Sequence, residues 1–119
     1  MSVTDYEAML IRQLSMNRQI WRTLQKHGVR ENTPLRLDFF YYTANRQAAE
    51  ALRTLLEHET DYKVAVDSKG RWFRRTWCVT GTTQAQPVSL SALNDWVRWM
   101  VAAGKECSCE FDGWGAEVP

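Results

Sequence analysis

Apolar residues change their spacing repeatedly along this chain, and the order of those changes limits the fold more than any overall property. Leu10, Leu14, Trp21 and Leu24 recur at helical spacing, with Met9, Met16 and Ile20 beside them. Thr4 and Glu7 stand at capping-box spacing, while Lys26, His27 and Gly28 suit a helix C-terminus. This predicts a leading helix over 1–28, with a break tolerated near Ser15. From Leu35 to Thr43 the period falls to two. Leu35, Leu37, Phe39 and Tyr41 then share one face, the better core candidate, and Arg36, Asp38, Phe40 and Tyr42 share the other.

Helical spacing returns after Asn45, a good N-cap, with Ala48, Ala49, Leu52, Leu55 and Leu56 as the apolar stripe to about Glu59. Tyr62 to Asp67 reads as a strand, with Tyr62, Val64 and Val66 on one face. Ser68-Lys69-Gly70 has turn chemistry. A third strand is expected from Arg71 to about Thr82, with Phe73, Trp77 and Val79 opposite Trp72, Arg74, Thr76 and Cys78. Gly81 to Pro87 reads as a loop. Ser89 caps a helix burying Leu90, Leu93, Trp96, Val97, Met100 and Val101, with its end expected at Gly104. Ser108 to Trp114 is the fourth strand, with Cys109, Phe111 and Gly113 on one face and Glu110, Asp112 and Trp114 on the other.

The order is a leading helix followed by β-α-β-β-α-β. Such an order closes as an α+β, ferredoxin-like sandwich: an antiparallel four-stranded sheet with two helices on one face and the fourth strand at an edge beside the first. The chain is expected to be one domain over 1–119, with the leading helix over 1–28 and the sandwich over 34–118. The extra helix is expected on the open sheet face or at the end of the domain.

Chemistry-bearing patterns are sparse. His27 and His58 both fall near predicted helix ends, where the dipole gives a cation a structural reason to be. Cys107-Ser108-Cys109 has no second cysteine pair to complete a zinc site and reads as two buried free thiols, and three cysteines in all (with Cys78) form no closed disulfide set, which agrees with a reducing compartment. Phosphate-binding and nucleophile-elbow motifs are absent. The expectation is a non-enzymatic protein with no catalytic residue, metal or cofactor. No apolar run approaches a membrane span and no signal sequence opens the chain, so it reads as cytoplasmic.

Two surfaces remain as binding candidates. Lys69, Arg71, Trp72, Arg74 and Arg75 interleave cations with aromatics, a composition able to meet phosphates and stack bases in RNA. The net charge of +1 argues against a general nucleic-acid binder. From Gly104 onward the balance is acidic, with Glu106, Glu110, Asp112 and Glu117 against Lys105. Charges on an edge strand keep it soluble, and they can also engage a basic partner. Trp114, set between Gly113 and Gly115, reads either as a latch for the last strand or as a handle for a partner.

Cys109-Glu110-Phe111-Asp112-Gly113-Trp114-Gly115 resembles the E-[YF]-D-G-W-G signature of the ribonuclease E inhibitor family, regulator of ribonuclease activity B (RraB). The resemblance is specific over Asn94 to Gly115 and looser from Asn17 to Asn94. It implies a bacterial cytoplasmic protein of ferredoxin-like fold that acts by binding. The implied partner is the endoribonuclease E or its RNA-degrading assembly, and the contact would slow RNA turnover. The residues carried over are Glu110, Phe111, Asp112, Gly113, Trp114 and Gly115. The chain departs from the family pattern in its net charge, its basic hairpin and its ending at Pro119 without an acidic tail.

Overall fold

A stripe that mixes apolar and polar side chains seats the first helix. A computed structural model describes residues 3–70 and 75–118, and α1 spans Val3–Lys26. It is continuous through Ser15, and Thr4 lies inside it instead of capping it. Tyr6, Met9, Gln13, Asn17, Trp21 and Leu24 form the buried stripe, while Met16 is exposed. The stripe is therefore rotated from the expected one, because Gln13 and Asn17 occupy its centre. The helix ends as the sequence suggests. The amides of His27 and Val29 donate to Leu24 O, that of Gly28 donates to Gln25 O, and Gly28 takes the left-handed conformation at φ 91°.

The expected first strand divides at exposed Arg36 into β1 (Thr33–Leu35) and β2 (Leu37–Thr43). β1 pairs antiparallel with β5 (Gln86–Val88), so part of the stretch expected to be loop is strand. Pro34 lies opposite Pro87 in this two-stranded ribbon. Each strand there has a free edge, the one place in a sheet where a missing N–H is harmless. Asn45 caps α2 (Arg46–Glu59), its Oδ1 accepting from Gln47 N at 2.7 Å, and Ala49, Leu52 and Leu56 are buried. β3 spans Lys63–Lys69 and β4 spans Thr76–Thr82. Arg71, Trp72, Phe73 and Arg74, which the sequence reading assigned to a strand, lie outside the described residues. Ser89 caps α3 (Leu90–Glu106), accepting from Ala92 N at 3.0 Å, and β6 spans Glu110–Ala116.

The main sheet has the order β3-β4-β2-β6, all antiparallel, with β6 at an edge beside β2. The chain is thus α+β, with three helices and two antiparallel sheets among the described residues. Leu37, Phe39 and Tyr41 of β2 are fully buried beneath α2 and α3, and Tyr41 OH donates to Met100 O at 2.6 Å. Two glycines permit this packing. A methyl group at Gly81 would overlap Lys63 O and the Phe39 ring. Gly104 does not end α3, which continues to Glu106. A methyl there would sit 2.7 Å from Cys109 O and 2.8 Å from the Tyr41 ring, so the position serves close approach.

α1 packs mainly on α3 and leaves the opposite sheet face open. That face carries Asp38, Phe40 and Tyr42 of β2, with Phe40 44% and Tyr42 37% exposed.

Candidate protein-binding surface

The surface is built by the turn that feeds β6. Cys109 N donates to Gly104 O at 2.8 Å and Ser108 N to Lys105 O, closing α3 with Ser108 in the left-handed region at φ 58°. Thr43 Oγ1 donates to Ser108 O, and the buried Cys109 thiol donates to Ala48 O at 3.4 Å. Burial and the neighbouring Cys107 sulfur push the Cys109 thiol up to about 11. It is a packed thiol, not an activated one.

β6 then breaks the alternation expected of it. Tyr42 pairs with Glu110 and Tyr41 with Phe111, but Phe40 pairs with Gly113 and Phe39 with Trp114. Asp112 has no partner in the register, which makes Asp112-Gly113 a one-residue bulge, with Gly113 at φ 138°. The consequence is a change of face. Strict alternation would place Phe111 and Trp114 on opposite sides, whereas the bulge turns both into the core. Phe111 is 1% exposed and meets Tyr41 edge-on at 5.2 Å between ring centroids. Trp114 meets Trp96 edge-on at 6.1 Å, and Trp96 meets Phe111 at 6.3 Å.

The indole N–H of Trp114 donates to Asn17 Oδ1 of α1 at 2.8 Å. Asn17, fully buried, donates through Nδ2 to Asn94 Oδ1 of α3 at 3.0 Å. One asparagine therefore ties the last strand to two helices, and Trp114 latches the C-terminal strand. The sequence reading missed Asn17 and Gln13. The available signal was a polar pair at positions i and i+4 in the middle of an apolar stripe.

The acidic residues of the run fall elsewhere. Asp112, at the bulge, and Glu117, beyond the strand, are exposed. Glu110 is half-buried and accepts from Tyr42 OH. That bond, partial burial and the fields of Glu110 and Asp112 push the Tyr42 hydroxyl up to about 12, against the opposing field of Arg12. Glu117 and Val118 line a cleft of about 520 Å³ with Arg36 and Asp38, at the other end of β6. Gly115, opposite Asp38, has neither a left-handed backbone nor any atom within 4 Å of where a Cβ would stand.

The alternative basic surface is only partly described. Lys69 and Arg75 are exposed, while Arg71, Trp72 and Arg74 lie outside the described residues. Trp77 is half-buried with the Arg46 guanidinium 5.4 Å above its ring. His27 Nδ1 lies 2.9 Å from Thr23 O, and exposed His58 sits 3.3 Å from Glu59 Oε1. No group of three His, Cys, Asp or Glu residues among the described residues is placed to hold a metal ion, and no described helix is long and apolar enough to cross a membrane.

No curated protein matches the chain. A family model does match, over residues 14–116, a span that runs from α1 just before Asn17 to the end of β6. It therefore contains both ends of the Asn17–Trp114 latch together with the bulge. The chain belongs to the RraB family, regulator of ribonuclease activity B.

Proposed function

We propose that this protein regulates RNA turnover by binding a protein partner, with ribonuclease E or its assembly as the target and inhibition as the effect, and that it does no chemistry of its own. Family membership over residues 14–116 supports a regulatory role. The single observation that carries the contact assignment is the bulge. By turning Phe111 and Trp114 inward it leaves Asp112 standing out of the sheet edge, with Glu110 and Glu117 along the same strand and its extension. Of the seven candidates, Glu110, Asp112 and Glu117 are then the contact residues. Phe111, Gly113 and Trp114 shape the strand that presents them. The strand order β3-β4-β2-β6 supports a ferredoxin-like core for this platform. The family supports a bacterial, cytoplasmic setting.

The test is cleavage of a model RNA by ribonuclease E with and without the purified protein. Asp112→Lys reverses a charge at an exposed site and should weaken inhibition while leaving the melting temperature unchanged. Wild-type protein that leaves cleavage unaffected at micromolar concentration would refute the proposal. Direct RNA binding is the second reading, favoured by the exposed Lys63, Lys69 and Arg75 at the β3–β4 side of the sheet. It requires an affinity that falls steeply with salt, because counterions leave when phosphates are neutralised.

A further inference from the structure

The edges of the two sheets are guarded unequally. β6 carries the bulge at Asp112-Gly113, and the ribbon of β1 and β5 carries Pro34 and Pro87, devices that stop an edge from pairing further. β3, the other edge of the main sheet, has neither. Its residues Lys63–Lys69 run in unbroken register against β4, and among the described elements it packs on β4 and α2. The outward backbone groups of β3 therefore have no strand beside them among the described residues. Lysines on an edge ordinarily oppose pairing, but along this one the sign of the charge changes.

Asp61, just before β3, and Lys63, Ala65, Asp67 and Lys69 are exposed at alternate positions, while Tyr62, Val64 and Val66 are half-buried on the helix side. Across β4, Lys63, Asp67 and Lys69 stand opposite Thr82, Cys78 and Thr76, none of them charged. When the strand is turned about Ala65 onto a copy of itself, every charge meets its opposite. Lys63 then stands against Asp67 and Asp61 against Lys69, twice each, with Val64 against Val66 on the helix side. Moving the axis to Val64 sets Asp61 against Asp67, and moving it to Val66 sets Lys63 against Lys69, so the charges select one register. Asp67 is also a residue that strand formation does not explain, since aspartate is depleted in strands. The other charges near this edge lie further in or are already paired. Asp38 is on β2, two strands away, and exposed Arg75 precedes β4. Glu50, Arg53 and Glu57 lie on the side of α2 turned from α3, with Arg53 Nε 2.7 Å from Glu57 Oε1 and its Nη1 4.0 Å from Glu50.

We infer that β3 pairs antiparallel with β3 of a second copy of this chain, about a two-fold axis at Ala65, to make one eight-stranded sheet. An axis perpendicular to the sheet keeps the charged residues of both copies on the same face, so one patch serves both sides of the contact. α2 packs over β3 and β4, which brings the two α2 helices to about 10 Å apart, an ordinary distance for packed helices. β6 lies at the far end of the strand order in each copy. The bulged acidic edges then stand at opposite ends of the dimer, seven strand spacings or about 34 Å apart. Dimerisation does not depend on which partner the β6 edge binds, and it makes that binding bivalent.

Sedimentation equilibrium of the full chain from about 1 to about 200 μM reads the association. Wild-type protein should reach twice the 13.9 kDa chain mass within that range. Lys63→Asp and Asp67→Lys each place two like-charged pairs across the seam, and each should weaken the dimer about tenfold. Both residues are exposed, so each variant should keep its circular dichroism spectrum. Combining Lys63→Asp with Asp67→Lys restores both pairs at unchanged net charge and should return the affinity to within about threefold of wild type. An equimolar mixture of the two single variants should also dimerise, because each aspartate then meets a lysine. A wild-type protein that stays monomeric at about 200 μM overturns the inference. So do single variants that dimerise as tightly as wild type, or a double variant no better than the singles. A dimer that weakens with Asp112→Lys and not with the β3 substitutions overturns it as well, by moving the seam to the β6 edge.

Discussion

Replacing Trp114 by phenylalanine tests whether the last strand is held by a hydrogen-bonded latch or by hydrophobic contact alone. The substitution keeps an aromatic ring against Trp96 but removes the indole N–H that donates to Asn17 Oδ1 at 2.8 Å. Asn17 is fully buried, so its oxygen has no access to water once that donor is gone. A buried acceptor left without a partner costs about 1–3 kcal/mol, and the smaller ring forfeits some packing besides. The expected loss is about 2–3 kcal/mol. Asn17→Leu removes the other end and strands the indole N–H, with a similar expected cost.

The decisive measurement is the double-mutant cycle. When Trp114→Phe and Asn17→Leu are combined, a phenyl ring faces an aliphatic side chain and no buried polar group in the pair is left unsatisfied. The double variant should therefore be less destabilised than the sum by about 1–2 kcal/mol. Urea denaturation followed by far-ultraviolet circular dichroism gives each free energy. Additivity within about 0.5 kcal/mol would refute the latch, as would a Trp114→Phe variant of wild-type stability. The size of the effect bears on functional assays as well. Trp114→Ala removes the whole ring and should cost about 3–5 kcal/mol, out of the 5–15 kcal/mol typical of a domain. Lost inhibition in that variant would therefore report unfolding as readily as a lost contact.

Three further outcomes follow from particular geometries. Gly113→Ala forces an L-residue to φ 138° at the bulge and should cost about 1–3 kcal/mol, read from the same urea curves, despite the open space around it. Gly104→Ala improves helix propensity by about 1 kcal/mol but drives a methyl into Cys109 O and the Tyr41 ring. Net destabilisation of about 1–3 kcal/mol is expected, and a stabilised variant would show that the contact relaxes freely. The Cys109 thiol has a folded pKa of about 11, above its unfolded value, so the folded state holds the proton more tightly. Stability should be flat below about pH 9 and fall as pH rises toward 11, and Cys109→Ala should flatten part of that slope in denaturation curves taken across the range.

The elements legible in the sequence are those where a single periodicity governs enough residues. β2, with Leu37, Phe39 and Tyr41 on one face, and α2 after Asn45 are of this kind, as is the closing turn at Gly28. Three-residue strands carry no periodicity, and the prolines of β1 and β5 argue against strand unless a free edge is already known, so that ribbon was hidden. Gly104 lies near the end of a helical pattern, where glycine marks a terminus as often as a close contact. Its role depends on Tyr41 and Cys109, distant and adjacent in sequence, arriving at the same point. Asn17 reads as a solvent-facing residue until its partners from β6 and α3 are in place.

The candidate site was legible as a stretch but not as a division of labour, and the bulge is the reason. Within Glu110 to Gly115 a period of two assigns Trp114 to the face of the acids, which leaves latch and handle both open. One extra residue at Asp112-Gly113 reverses that assignment, moving the indole into the core and lifting the carboxylate out of the register. The same local distortion therefore fixes the strand and exposes its charge. This explains why aromatic, acidic and glycine residues are packed so closely there: Phe111 and Trp114 hold, Gly113 permits the bend, and Asp112 faces outward.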